Sequence, residues 1–317
     1  MIDVLVIGAG VIGISAARFI AASGRSVAVV DKGGVAAGCS RGNAGLVVPS
    51  HAIPLAAPGA LWQGVKWMFN PESPFYIKPR LSPALLGWLW RFGLACSAKR
   101  VERAIPLLRD LHRASAALFE ESLARRGLLL LFRTSKGFEG GIHEAQVLSD
   151  AGLETKVLDV PSIRALLPGL KTDVVGGVHC LEDGHLDPLR FVQGWAKGVD
   201  VRTEDVVGFD VDGRRVRART STGPIDAKEV VLAAGAWAPE VARDLRLKIP
   251  IQPGKGYSLT FSAPATAVDV PFILSEDRVA VTPMGDRLRL AGTMELAGLD
   301  LSINERRVGA IRRAGVA

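Results

Sequence analysis

Six residues near the amino terminus, Gly8-Ala9-Gly10-Val11-Ile12-Gly13, spell GxGxxG, and an acid, Asp31, follows eighteen positions after Gly13. The glycines alone are a weak signal. Here they follow an apolar, β-branched run over residues 2–7 and open a helical pattern that extends to about residue 23. That context makes the motif specific. Its chemistry is recognition of a dinucleotide. Gly8 permits a tight turn, Gly10 lets a pyrophosphate approach the main chain, and Gly13 lets helix and strand pack closely. The first N–H groups of the helix, at Val11 and Ile12, face the phosphates. Asp31, with Lys32 beside it, ends the next strand over residues 26–31. A carboxylate there accepts bonds from ribose hydroxyls and disfavours a 2′-phosphate, which excludes NADP. A glycine-rich turn without a ligand is the competing reading, and it does not account for the complete strand–turn–helix–strand unit.

A second segment adds to this. Val230-Val231-Leu232-Ala233-Ala234-Gly235-Ala236-Trp237 reads as a buried strand over residues 229–234 that ends in small residues. The main chain at Ala234 and Gly235 can therefore pass close to an ADP moiety. NAD and FAD both remain open; a contact supplied from so far along the chain favours FAD.

The elements that must position these groups follow from periodicity and punctuation. The opening is a βαβ unit, and residues 32–60, rich in Gly, Pro and Ala, read as long ordered loops. Residues 82–126 read as helical, capped by Ser82-Pro83 and divided near Pro106. A strand is expected over 128–132 and a helix over 140–151. A short helix should open at Asp159 with Pro161, followed by a strand over 174–181 and a helix from Asp187-Pro188. Residues 206–211 and 214–220 read as a hairpin turned at Asp212-Gly213. Short strands follow over 257–261, 272–274, 278–282 and 287–291, and a helix begins near Asn304. The order implies an α/β chain. A Rossmann-like nucleotide-binding domain over 1–80 and 186–245 carries an inserted α+β domain over 81–185 and 246–317, built on an antiparallel sheet.

Composition limits the function further. At 317 residues, 48% apolar and 22% charged, the chain is globular and can bury a large core without disulfides. The net charge of +7 arises from 39 basic and 32 acidic residues that are interspersed. No dense basic block appears before Arg306-Arg307 and Arg312-Arg313, and there is neither zinc spacing nor an aromatic–basic RNA motif. Nucleic acid and metal are thus not expected as partners. Cys39, Cys96 and Cys180 are odd in number and distant, which points to a reducing, cytoplasmic compartment. The amino terminus lacks the basic region of a signal peptide. No run reaches the roughly 18 apolar residues of a spanning helix. The nearest, residues 85–96 with Trp88 and Trp90, is interrupted by Arg91. It reads either as a core-facing amphipathic helix, the favoured reading, or as one resting on the cytoplasmic face of a membrane.

Several longer motifs are more specific than the glycines. The loop Cys39-Ser40-Arg41-Gly42-Asn43-Ala44-Gly45 and the run from Pro49 to Gly59 resemble bacterial D-amino acid dehydrogenases, of the FAD-dependent D-amino acid oxidase superfamily. Lys66-Trp67-Met68-Phe69 matches that family's KWMF, Leu131-Phe132-Arg133-Thr134 its LFRT, and Lys255-Gly256-Tyr257-Ser258-Leu259-Thr260 its KGYSLT. The resemblance implies non-covalent FAD. Gly8, Gly10 and Gly13 would take the pyrophosphate and Asp31 the ribose. Ser40 with the turn Asn43-Ala44-Gly45 would lie along pyrophosphate and flavin, Val206 would contact adenine, and Ala234 and Gly235 would flank the cofactor. It also implies oxidation of a D-amino acid or related amine by hydride transfer to flavin N5, with electrons passed to a quinone or other respiratory carrier.

No catalytic acid or base is assigned, because the flavin performs the hard step. His51, which stands where close relatives carry tyrosine, and Tyr257 are the substrate-side candidates. Each has a structural alternative: a loop histidine bonded to backbone, and a core strand residue with a bonded hydroxyl. Cys39 is expected to be an inert buried thiol. Members of the family continue beyond this point with a segment that closes over the flavin, whereas this sequence ends at Ala317 inside the helix begun near Asn304. A truncated, non-catalytic flavin-binding protein, or a hetero-oligomer subunit completed in trans, is therefore a second expectation, and an NAD-dependent dehydrogenase a third.

Overall fold

The computed structural model describes residues 1–68, 73–78, 80, 82–213, 215–262 and 268–316. Phe69, Leu81, Arg214 and Ala317, which enter the motifs and boundaries above, lie outside the described residues. The chain divides into two compact units, Met1–Asn43 with Asp187–Pro253, and Ala44–Leu186 with Gly254–Ala317. Residues 44–80, placed above with the nucleotide domain, fall in the second unit. The reason is strand pairing: Leu46–Val47 pairs with Gly184–His185, and Phe75–Ile77 with Arg287–Leu296. Residues 246–253 conversely fall in the first unit.

The first unit is built on a six-stranded sheet. Its order is Val206–Asp212, Arg215–Thr220, Pro224–Leu232, Ile2–Ile7, Val27–Asp31, Asp200–Thr203. Ile2–Ile7 is central and parallel to both neighbours. Buried on both sides, it needs a continuous apolar run, and Val4 to Ile7 are all buried. The helix Val11–Ala22 follows after a two-glycine turn and stops where Gly24 takes φ +83°. That left-handed residue lets its N–H reach back to Ala21 O at 2.9 Å. Pro224–Leu232 is longer than the expected strand, and residues 229–234 are half-buried or exposed rather than fully buried. Only Ile225 and Ala227 of this strand are buried, because one face of it packs on the core and the other does not.

The second unit carries an eight-stranded sheet, ordered Lys255–Ser262, Arg287–Leu296, Val279–Pro283, Phe272–Leu274, Leu128–Phe132, Gly176–Cys180, Thr155–Leu158, with Phe75–Ile77 beside Arg287–Leu296. It is antiparallel except where Phe272–Leu274 meets Leu128–Phe132 and where Phe75–Ile77 joins. Leu129, Leu131, Val279, Val281 and Leu290 pack under Ile163 and Ile311 of two helices to form its main core.

Three sequence expectations are corrected here. The helical stretch breaks at Cys96-Ser97, between Pro83–Ala95 and Ala98–Leu118, and Pro106 lies inside the second helix. Pro106 and Glu102 are both exposed residues, and Pro106 leaves the Glu102 carbonyl without its helical donor. The helix expected from residue 140 begins at Ser135, capped by Thr134 Oγ1, which accepts from Gly137 N at 3.1 Å. Its glycines serve packing: a Cβ on Gly141 would sit 2.2 Å from the Phe132 ring. Finally, Pro83–Ala95 does not simply face a core. It is apolar around most of its circumference and buries only Leu85, leaving Leu86, Trp90 and Leu94 exposed along one i, i+4, i+8 stripe. The strands Phe75–Ile77, Thr155–Leu158 and Asp200–Thr203 were not expected; they are short, and the second and third lie at sheet edges.

Candidate dinucleotide site

Gly8 closes the first strand with φ +109° and donates its N–H to Val30 O at 2.8 Å. Any side chain there would be doubly refused, since a Cβ would lie 2.4 Å from Ala233 O. Gly13 is refused more strongly, because its Cβ would lie 1.8 Å from Gly8 O. The first turn of Val11–Ala22 is thereby pressed against the end of Ile2–Ile7. Gly10, the residue before that helix, has no side-chain cap, and a Cβ on it would approach Ser40 Oγ at 3.1 Å. Ser40 Oγ accepts from Val11 N at 2.9 Å. A hydroxyl that accepts in this way still has its proton to donate outward. The Ile12 side chain is 69% exposed, and neither Ile12 nor Gly13 has an intrahelical partner for its N–H.

Asp31 faces this turn. Its Oδ2 accepts from Ala9 N at 2.8 Å and its Oδ1 from Gly33 N at 2.8 Å. Each carboxylate oxygen retains a second acceptor site. The Asp31 carbonyl accepts from Glu204 N at 3.1 Å, which brings the chain just before Val206 to the same strand end. Val206 itself is buried in the core with Leu5, Ala28 and Phe209. Ala233 N donates to Ile7 O at 2.8 Å, Gly235 takes φ +54°, and Lys32 Nζ lies 4.8 Å above the Trp237 ring. One strand end thus gathers Gly8, Asp31, Lys32, Ala234 and Gly235.

Asn43 closes the short turn Cys39–Gly42 by donating from Nδ2 to Cys39 O at 3.1 Å. Cys39 is exposed, contrary to the buried thiol expected, because this turn lies at the surface. Ala44 and Gly45 begin the second unit, where Gly45 has φ +71° and its carbonyl accepts from Leu186 N.

The substrate-side candidates also belong to the second unit. His51 is exposed, yet protein crowds its other sides. This desolvation, ahead of the positive charges of Arg278 and His112, holds its imidazole below the usual range. Tyr257 lies on Lys255–Ser262 and donates its hydroxyl to Glu295 Oε2 at 2.8 Å. Burial, then that bond, pushes the phenol up to about 12. Lys255 and Arg307 stand 3.8 and 3.9 Å from the same carboxylate oxygen. Histidine and tyrosine therefore have different neighbours, and Tyr257 belongs to an ionic network within the sheet. Sequence reasoning missed that network and also the buried Asp183, which binds Ser50 beside His51. No local spacing announces either, since their members lie far apart in sequence. Among the described residues no group of His, Cys, Asp and Glu could hold a metal ion.

Comparison with known proteins bears on this geometry. The family described as DAO, FAD dependent oxidoreductase, matches residues 3–317. The D-amino acid dehydrogenase of Chromohalobacter salexigens is 32% identical over 333 aligned residues, covering 96% of this chain and 78% of that protein. Among solved structures, glycine oxidase from Geobacillus kaustophilus superposes with a TM-score of 0.73 at 20% identity, over 99% of this chain and 77% of its own. The L-α-glycerophosphate oxidase of Mycoplasma pneumoniae, solved with FAD bound, superposes at 0.65 and 16% identity over 99% and 77% of the two chains.

Proposed function

The chain belongs to the DAO family of FAD-dependent oxidoreductases, and on that premise we propose that it binds FAD and oxidises a D-amino acid, or a related secondary amine, at the α-carbon. For a primary amino acid the product imine takes up water to give a 2-oxo acid and ammonia; for an acyclic secondary amine the nitrogen leaves as the primary amine instead. The observation that carries this reading is the glycine cradle, where Gly8 and Gly13 exclude any Cβ and Asp31 closes the turn. Gly8, Gly10, Val11, Ile12, Gly13 and Ser40 hold the pyrophosphate. Asp31, Lys32 and the chain at Val206 take the adenosine half, and Asn43, Ala44, Gly45, Ala234 and Gly235 extend along the remainder. When bound, FAD supplies the acceptor for the hydride that leaves the substrate. His51, neutral at pH 7 by the direction of its shift, offers one acceptor nitrogen to the substrate nitrogen.

Purified protein loaded with FAD should reduce an artificial electron acceptor with D-amino acids. Response to L-amino acids alone would overturn the stereochemistry, and NADH formation without bound flavin would overturn the cofactor.

The electron acceptor belongs to the same reading. Leu86, Trp90 and Leu94 form an exposed stripe on Pro83–Ala95, and Leu61, Trp62 and Val65 are exposed on Ala60–Met68, whose Leu61 approaches Gly93. Lys66 and Arg91 lie on these two helices, and no described residue of either is acidic. An apolar, basic surface of this kind suits the headgroup region of an anionic bilayer, where a quinone is dissolved. No helix is long and apolar enough to span it, among the described residues. Vesicles of anionic phospholipid should retain the protein in flotation, and neutral vesicles should retain it less.

A further inference from the structure

Asp183 is a carboxylate with no solvent exposure. Among the described residues no Lys, Arg or His forms an ion pair with it. Burying such a group is unfavourable unless its oxygens are satisfied. One residue does so here: Ser50 donates its backbone N–H to Oδ1 at 3.0 Å and its hydroxyl to Oδ2 at 2.5 Å. Ser50 is the residue before His51.

The rest of that neighbourhood is arranged around the same joint. Leu46 and Val47 pair antiparallel with His185 and Gly184. Leu186 N donates to Gly45 O at 2.8 Å, and His51 N to Val48 O at 3.1 Å. Ala52, just beyond, is fully buried against Ile105, Leu148 and Leu153. On its other side the chain at Asp183 and the strand Gly184–His185 are fastened to residues 124–127: Gly127 N donates to Asp183 O, and Ala124 and His185 exchange both backbone bonds. A Cβ on Gly184 would meet Ala124 O at 2.8 Å, so the fastening is close. Residues 45–52 are therefore pinned at four points, and the Asp183 bond to Ser50 and the buried Ala52 flank His51 on either side.

We propose that Asp183 is a positioning residue for the substrate side: acting through Ser50, it fixes the segment 45–52 and with it the place of His51. This rests on the reading that His51 faces the amino acid. The carboxylate works from a distance, since its own atoms are occupied by Ser50. Its surroundings offer no other role. Cys180 lies beside Ser50 with its thiol pushed up to about 12 by burial and then by the negative charge of Asp183, to which Glu144 adds. Glu182 is held by Arg113 at 2.5 Å, and Arg126 acts on His185. None of these is a cation placed to neutralise Asp183, so Ser50 is what makes the buried carboxylate tenable.

The test uses the full chain loaded with FAD, its best amino acid and an artificial acceptor. Asp183→Ala leaves the Ser50 N–H and hydroxyl without acceptors. It should raise KM about tenfold with kcat within about threefold, and should speed hydrogen exchange of amides 45–52 about tenfold while leaving residues 2–31 unchanged. Asp183→Asn keeps an acceptor for the N–H and supplies a donor to the hydroxyl. It should restore KM and exchange to within about twofold of the wild type. Ser50→Ala removes only the hydroxyl bond; should Asp183→Ala not fold, this variant still decides, with KM and exchange expected to rise a few-fold. Unchanged KM and exchange in folded Asp183→Ala or Ser50→Ala would overturn the proposal. A wild type that oxidises no amino acid would defeat the functional reading instead, and the exchange arm would still judge the pin.

Discussion

The glycine cradle of the first unit and the Asp183–Ser50 joint of the second solve the same problem, holding a loop in one place, by opposite means. The cradle uses main chain packed so closely that side chains cannot enter: a Cβ at Gly13 would overlap Gly8 O, and one at Gly8 would overlap Ala233 O. The joint uses a buried charge whose two oxygens are both taken by one residue 133 positions away in sequence. Steric exclusion is independent of pH and salt. A buried carboxylate depends on both the solvent it has lost and the proton it can regain. The first device should fail abruptly and completely when altered, and the second by degrees.

The largest expected effect tests the steric half. Gly13→Val places branched carbon where Gly8 O already lies, so the helix must move off the strand. Retained flavin should fall below detection in gel filtration, with a melting temperature well below wild type. A variant that keeps its yellow colour would show the turn to be looser than its contacts say. Asp31→Ala comes next. It removes the acceptor of the Ala9 and Gly33 N–H groups and the group assigned to ribose. FAD affinity should fall by roughly 10–100-fold, the range for one or two bonds to a charged group. Isothermal titration of apoprotein with FAD reads this directly.

Unequal legibility follows from the same contrast. The cradle was readable because its parts are local: the glycines span six residues, and the acid ends the adjacent strand. Backbone sterics that forbid a side chain leave glycine in the sequence as a visible record. The joint left none, since a serine and an aspartate 133 positions apart carry no spacing rule. Strand assignments failed in a related way. Thr155–Leu158 and Asp200–Thr203 are short and lie at sheet edges, where one partner strand suffices and the apolar alternation is weak. The helix expected from residue 140 starts five residues earlier, because the glycine-rich turn at its beginning is capped by Thr134, and Gly137 and Gly141 admit Glu276 and the Phe132 ring beside it. Residues 44–80 were assigned to the wrong unit because loop composition says nothing about which sheet a two-residue strand will join.

The electrostatic half has a pH signature. Burial pushes Asp183 up to about 7, ahead of the bonds from Ser50 that pull it down, whereas the unfolded carboxyl titrates at the ordinary 3.8. Between those values the folded protein holds a proton that the unfolded chain has released. The stabilisation is therefore complete below the unfolded value and is lost as pH rises through about 7. Asp183→Asn cannot titrate, so its melting temperature should lie closest to wild type near pH 5 and should decline less between pH 5 and 8. Parallel curves for the two proteins would mean that Asp183 stays ionised throughout, and that Ser50 stabilises the charge fully.

The smallest effect separates the two candidates for the substrate side. Tyr257 and His51 were proposed together, but their partners differ. His51 is exposed among Arg278 and His112, whereas the Tyr257 hydroxyl serves Glu295, a buried acid with Lys255 and Arg307 close by. Tyr257→Phe removes one donor and leaves the ring packed against the sheet core. If the tyrosine is part of that ionic network alone, stability should drop by about 1.5–3 kcal/mol, the typical value for one bond to a charged partner. KM and kcat should stay within about twofold of the wild type. A KM increase of tenfold with unchanged stability would move Tyr257 to the substrate, and would make the sheet, rather than the 45–52 segment alone, a wall of the pocket. His51→Ala supplies the contrast under the same assay: it should raise KM with little change in melting temperature, because an exposed imidazole contributes little to the fold.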